Sequence, residues 1–371
     1  MTASSDITTF YSASKDLSCK EYTIHKKTGE SFSVIEYGAL IHTLCVPDKE
    51  GKLGDIMLGF DTLDGYMNSG SGHGSIIGRT ANRTKGASMV IDGTTYNMPV
   101  NDCGNNLHGG EGCFQNTFWK GEIIDEARAQ SYVDGIVTAS GLQMEGDAVL
   151  LTSLSPDGTC GLPGNLTTEI MYGWSEDATL IILYRGVSDK KTAFAPTNHS
   201  YINLYGENQG SISGQLLWID ADEYTQKDMC NVPTGTILPL QGTPLDFREE
   251  HAVDEVLCET SSFAELNCSK GADQNYCLKT TPNTYTRFAS VYAPKTGRFM
   301  EAFTNFPGVQ LYCGNHLNED GKNGTHYVGY NAICLEAQVF PDAIHHDNFA
   351  SAIIDKDEVK GYLCGYRFST K

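Results

Sequence analysis

The sequence predicts an all-β protein: one large antiparallel β-sandwich that spans residues 1–371 as a single domain. Three observations carry this reading. Short segments rich in β-branched and aromatic residues recur from the first fifty residues to the last ten. Sustained 3.6-residue periodicity is nearly absent, while 39 glycines supply turns for many strands. No composition break, internal repeat, low-complexity block or Pro/Gly/Ser-rich linker divides the chain.

The elements follow in order. Ser33-Val34-Ile35-Glu36-Tyr37 and 40–46 read as strands, the second ended by Pro47-Asp48. Met89-Val90-Ile91 and Thr94-Thr95-Tyr96 flank Asp92-Gly93, a pair suited to the positive backbone angles of a two-residue hairpin turn. Segments 167–172 and 179–184 form another pair, separated by the polar Ser175-Glu176-Asp177. Residues 285–293 alternate in character, and 309–313, 332–337 and 366–368 complete the strands. Only 61–67 and 261–266 suggest helices, both short.

Composition narrows the partners. With 26 Lys+Arg against 46 Asp+Glu the net charge is −20, which disfavours nucleic acid and anionic membranes. No apolar run spans a bilayer. The opening residues lack the basic-then-apolar layout of a secretory signal, so the expected location is cytoplasmic. The 12 cysteines include no Cys-x-x-Cys pair and are expected mostly as buried free thiols rather than disulfides. No phosphate-cradling glycine loop and no Gly-x-Ser-x-Gly turn occurs. His345-His346 lacks helical ligand spacing and reads as structural or surface.

Five polar clusters could carry chemistry. Gly78-Arg79-Thr80-Ala81-Asn82-Arg83 offers two arginines and an asparagine, although alone it reads as a surface loop. In Asn106-Leu107-His108-Gly109-Gly110 the glycines allow a ligand to approach the backbone, although a plain turn has the same look. Thr197-Asn198-His199-Ser200-Tyr201 places a histidine among polar neighbours, where a satisfied core histidine is the alternative. Asp273-Gln274-Asn275-Tyr276 reads as a loop, in which an aspartate is usually just solvated. Gln310 and Glu336 lie in apolar, strand-like runs, and a glutamate there is costly unless something pairs with it or uses it. Glu336 and His199, drawn together from distant segments, suggest general acid–base chemistry.

Taken in order, these motifs resemble the aldose 1-epimerase (galactose mutarotase) family over nearly the whole chain. Leu58-Gly59-Phe60-Asp61-Thr62-Leu63 precedes the Gly78–Arg83 motif, and Asn106 to Gly110 follows. Ser155-Pro156-Asp157-Gly158, Pro163-Gly164-Asn165-Leu166, the His199 motif, Pro233-Thr234-Gly235 and Gly242-Thr243-Pro244-Leu245-Asp246-Phe247-Arg248 come next. Pro307-Gly308-Val309-Gln310-Leu311-Tyr312, Leu335-Glu336-Ala337-Gln338 and Pro341-Asp342-Ala343 close the series. The resemblance implies a β-supersandwich with an open sugar-binding groove. It implies Glu336 as general base, His199 as general acid, and Asn82, Arg83, His108, Asp273 and Gln310 as groups that hold the sugar hydroxyls. Thr84, Ile202, Ala337 and Tyr330-Asn331-Ala332 depart from the family pattern without removing a catalytic group; the last two bear on the shape of the groove.

The implied reaction interconverts the α and β anomers of free aldoses such as galactose and glucose. Glu336 removes the C1 hydroxyl proton, His199 protonates the ring oxygen, and the opened sugar recloses on either face. No cofactor or metal is implied. Partial burial is expected to raise the glutamate, and a nearby carboxylate to keep the histidine protonated. Competing readings are a hexose-6-phosphate 1-epimerase, which needs an arginine cluster, a non-catalytic sugar-binding protein, and a glycosidase using Glu336 with Asp273. Asn82-Arg83-Thr84 and Asn198-His199-Ser200 match glycosylation acceptors, but a glycan there would block these motifs. A monomer and a homodimer fit the sequence equally well.

Overall fold

The structure is a computed structural model that describes residues 3–137, 141–258, 261–281 and 283–371; Met1 and Thr2 of the opening segment lie outside it. Antiparallel sheets dominate. A nine-stranded sheet runs in the order Lys120–Ile124, Met144–Ser155, Leu166–Ser175, Thr179–Ser188, Val359–Thr370, Arg298–Thr304, Thr286–Ala293, Leu216–Ile219 and His251–Ala252. One five-stranded sheet is built from Ser4–Tyr11, Ser18–His25, Ser31–Ile35, Ile41–Pro47 and Leu53–Asp55. A second contains Pro233–Pro239, Ala221–Lys227, Asp273–Leu278, Gly308–Tyr312 and Cys334–Gln338 in that spatial order.

Period-2 alternation explains how the sheets stack. Ile170, Tyr172, Trp174, Ile182, Tyr184 and Tyr366 point from the nine-stranded sheet into the main core. That core also takes Tyr22, Phe32 and Leu44 from the first five-stranded sheet and Tyr276, Val309, Leu311 and Leu335 from the second. Tyrosine hydroxyls stitch the layers: Tyr172 donates to Ala39 O at 2.7 Å and Tyr366 to Leu335 O at 2.8 Å. The anticipated hairpin forms with Ile91 opposite Thr94, and Asp92 and Gly93 take φ of 49° and 78°. The pair around Ser175-Glu176-Asp177 also forms, in register from Leu166 opposite Ser188.

Three expectations need correction. First, an eleven-residue helix, Glu126–Ile136, covers the back of the nine-stranded sheet. Its Ala129, Tyr132, Val133 and Ile136 follow the i, i+3, i+4, i+7 rule and pack on Ala148, Leu150, Met171, Ile181, Leu183 and Leu363. Asp125 caps it by accepting from Arg128 N at 2.8 Å. A Cβ at Gly361 would fall 1.9 Å from Ile136 Cδ1, so a larger residue there would require the Ile136 side chain to move aside. Second, the late helix is Ala264–Ser269, displaced toward the C-terminus from 261–266, because Ser261 Oγ instead accepts from Phe263 N in the preceding turn. Third, Cys113 and Cys160 form a disulfide, their Cα atoms 6.5 Å apart, because the fold brings together loops 47 residues apart in sequence. Of the ten free cysteines only Cys19, Cys313, Cys334 and Cys364 are buried, and Cys103 is exposed.

Candidate active site

The second five-stranded sheet has one apolar and one polar face. Its register sets Asp273 opposite Tyr312, Asn275 opposite Gln310, and Gln310 opposite Glu336. Alternation therefore aims Tyr276, Val309, Leu311 and Leu335 into the core and places Asp273, Gln310, Tyr312 and Glu336 together on the other face. Asp273 begins a strand rather than lying in the expected loop.

The general-acid candidate reaches this face from a separate segment. Thr197–Asn198 pairs with Ile76–Ile77, and His199 N donates to Ser75 O at 2.9 Å. Thr197 Oγ1 donates to Ala337 O at 2.9 Å, which pins the histidine segment to the glutamate strand. His199 Nε2 lies 3.6 Å from Glu336 Oε1, with His199 6% and Glu336 2% exposed. The imidazole stacks on Tyr201, centroids 4.8 Å apart at 11°, and meets Tyr312 edge-on at 6.0 Å.

Opposite charges surround this pair. Arg83, on a two-residue strand against Asn106–Leu107, donates from Nε to Asp102 at 2.7 Å and lies 3.8 Å from Asp273. Gln310 Nε2 donates to Asp273 Oδ1 at 2.6 Å, and Lys227 Nζ donates to Asp273 O at 2.6 Å. Burial alone would push the Asp273 carboxyl up, but Lys227, Arg83 and the Gln310 amide outweigh it and hold the group below the usual carboxylate range. Asp273 is thus an ionised acceptor facing the groove.

His108 stands in the left-handed region at φ 56°. Its Nδ1 accepts from Asn82 N at 3.1 Å, which fixes the neutral tautomer with the proton on Nε2. Burial, and then His199 and Arg83, push it well below the ordinary histidine value. His108 can donate one hydrogen bond to a hydroxyl but is poorly placed to deliver a proton. Asn82 Oδ1 is already engaged by Arg83 N at 2.9 Å.

The protonation of the central pair differs from expectation. Burial raises Glu336 well above the ordinary value, as anticipated, with Asp273 adding and Arg83 opposing. Burial and His73 lower His199 to about 4, against the pull of Asp273. The neighbouring carboxylate therefore does not keep the histidine charged, because removing two charges from water costs more than their attraction returns. Both shifts favour the uncharged form, a neutral carboxyl beside a neutral imidazole.

A cavity of ≈ 670 Å³ opens over these groups, lined by Asn82, Arg83, His108, His199, Asp273 and Glu336. Gln310 sits behind Asp273 instead of lining it. The sequence motifs gave no sign of the contributions of His73, Lys227 and Tyr312, and Tyr201 appeared only as a neighbour of His199. Arg79 is a scaffold residue: it is buried and donates to Ser155 Oγ, Thr192 Oγ1 and the carbonyls of Ser155, Pro156, Pro163 and Gly164. Arg79→Met should lower unfolding free energy by about 3–5 kcal/mol by stranding those carbonyls. A urea-melt loss under about 1 kcal/mol would mean water replaces the guanidinium without cost.

Comparisons with known proteins agree with this arrangement. Human galactose mutarotase is 32% identical over 338 residues, covering 91% of this chain and 90% of the human protein. The aldose 1-epimerase of Escherichia coli strain K12 is 27% identical over 325 residues, 87% of each chain. Among solved structures, an aldose epimerase homologue from C. elegans superposes with a TM-score of 0.79 at 24% identity, over 99% of both chains. A galactose 1-epimerase from Lactobacillus acidophilus reaches 0.80 at 22% identity, over 100% of this chain and 99% of that one; these two establish the shared fold. The aldose 1-epimerase sequence profile matches residues 20–367, from the second strand to the last, and so takes in every residue of the site just described: the chain belongs to the aldose 1-epimerase family.

Proposed function

We propose that this protein is a mutarotase that interconverts the anomers of free aldoses, galactose and glucose foremost. The observation that carries this reading is the buried His199–Glu336 pair, 3.6 Å apart on the cavity wall beside a fixed cation, a fixed carboxylate and a neutral histidine donor. Glu336 acts as general base on the C1 hydroxyl and His199 as general acid on the ring oxygen. The neutral pair at rest is a tautomer of the working ion pair, so one proton crossing from carboxyl to imidazole produces it. A C1 hydroxyl donating to the carboxylate favours that crossing, because a hydrogen bond to the charged form stabilises it. The roles reverse on closure, and rotation about C1–C2 selects the anomer. Arg83, Asp273 and His108 hold the ring, and Gln310 acts through Asp273.

The alternatives fit less well. A sugar phosphate calls for uncommitted cations, yet Arg83 is the lone arginine or lysine lining the cavity among the described residues, and two carboxylates already engage it. A glycosidase needs both carboxyls free to act on the glycosidic bond, whereas Asp273 already accepts from Gln310 and lies 3.8 Å from Arg83. Polarimetry of freshly dissolved α-galactose, α-glucose and glucose 6-phosphate tests the choice. Faster approach to equilibrium with the free sugars is expected, and catalysis confined to the phosphate would overturn it. The same assay should survive EDTA treatment without added nucleotide.

Asp273→Ala and Arg83→Ala should chiefly raise KM, by about one to two orders of magnitude, since each removes a charged hydrogen bond to the sugar. A loss confined to kcat would reassign that residue to proton transfer. A single domain is supported by the main core, which runs from Tyr22 to Phe368. A cytoplasmic location is supported by the ten free thiols and by the burial of Asn82 and Asn198, the two formal glycosylation acceptors near the site.

A further inference from the structure

Behind His199 lies a second buried histidine that the mechanism above does not use. His73 packs on the same phenol as the general acid: its centroid is 4.2 Å from that of Tyr201, and Tyr201 is 4.8 Å from His199. His73 Nε2 bonds Glu319 Oε1 at 2.7 Å, and Glu319 also accepts from Ser69 Oγ and Ser71 Oγ, each at 2.9 Å. Tyr201 OH donates to Ser71 O at 3.0 Å, so one carboxylate clamps the groove-lining loop 69–73 that carries both contacts. Gly74 N, next along the chain, donates to His199 O at 2.9 Å.

We propose that His73 is a positioning residue for the general acid: held by Glu319 and packed on Tyr201, it supports the His199 ring, and when it carries a proton it disfavours a second one on His199. The corner then switches the enzyme off on the acid side. This inference rests on His199 being the general acid.

The surroundings set the order of protonation. Facing His73 are Glu319, the Tyr201, Tyr327 and Phe60 rings, and the charge of Lys322, which is held by Asp55 Oδ2 at 2.8 Å. Facing His199 are Glu336, Asp273, His108, Tyr201 and Tyr312. Burial lowers both histidines, but Glu319 pulls a proton toward His73, whereas His199 falls to about 4 with the His73 charge among the causes. The geometry favours a proton on His73 first, since Glu319 bonds its Nε2 at 2.7 Å while His199 Nε2 stands 3.6 Å from Glu336. A second imidazolium packed on the same phenol is then opposed by like charge.

The test compares kcat/KM against pH for the full-length protein and His73→Phe, a change that keeps an aromatic ring inside the cage. The expected result is an acid limb that retreats to lower pH by roughly one unit, with the alkaline limb unmoved. An acid limb at the original midpoint or at higher pH overturns the proposal and leaves His73 as packing alone. NMR titration of assigned imidazole nitrogens in the unmodified protein decides the matter even if the variant fails to fold. His73 should protonate above His199, at the midpoint of the acid limb, and the reverse order defeats the idea. Full activity in His199→Asn would instead remove the mutarotase assignment beneath it, so the two failures are distinguishable.

Discussion

Glu336→Gln and His199→Asn should each lower kcat by about two to four orders of magnitude, the usual contribution of a positioned acid or base. The fold should survive both changes. Burial raises Glu336 well above its ordinary value and favours its neutral carboxyl, a form that glutamine replaces without stranding a charge. The loop around His199 is held by backbone bonds to Gly74 and Ser75 and by Thr197 to Ala337, none of which involves the imidazole. KM should change little in either variant, since Arg83, Asp273 and His108 retain their partners. The double variant should be scarcely worse than the worse single one, because the two groups act as a unit. Polarimetry corrected for spontaneous mutarotation, with circular dichroism as the fold control, measures all of this. A folded single variant that keeps more than about a tenth of the activity would falsify the assignment.

How far the sequence reveals this site depends on where each cost arises. Glu336 was legible because a carboxylate in an apolar run has no cheap explanation, and Gln310 stood out as a polar residue in a separate apolar run. What Gln310 does was not legible, since it bonds Asp273 across two neighbouring strands and register is a tertiary fact. Arg79 and Arg83 share one motif and look equivalent on paper. In the fold Arg79 is consumed by four carbonyls and two hydroxyls, while Arg83 emerges between Asp102 and Asp273. The His73–Tyr201–His199 stack was invisible because more than a hundred residues separate its ends. Helix Glu126–Ile136 was different: its apolar spacing stands in the sequence, but Gly135 and the polar residues between weaken the helical signal. The histidine's charge state departs from expectation for a physical reason. Spacing says which groups could meet, whereas burial, which no spacing reports, decides whether they can stay charged.

That same burial makes the pH dependence the sharpest remaining test. In the resting enzyme the pair holds one proton, with His199 lowered to about 4 and Glu336 raised well above its ordinary value. Activity needs that one proton to be present and able to cross to His199. As pH rises through the raised Glu336 value the pair loses its only proton, so kcat/KM falls on the alkaline side by about tenfold per pH unit. As pH falls, the histidines of the corner take up protons and the base is lost, giving the acid limb. Each limb belongs to the coupled pair rather than to one residue. The single variants uncouple it and give opposite signs. In His199→Asn the lone group is Glu336, active only as carboxylate, so residual activity should rise with pH through the raised value and show no alkaline fall. In Glu336→Gln the lone group is His199, active only as imidazolium, so residual activity should fall as pH climbs above about 4 and be greatest at the acid end. Two folded variants with the same bell as the parent protein would place the titrating groups elsewhere. An alkaline fall persisting in His199→Asn would point to a second proton donor, and His108, whose Nδ1 is committed to Asn82 N, would then have to be re-examined with its other nitrogen as the source.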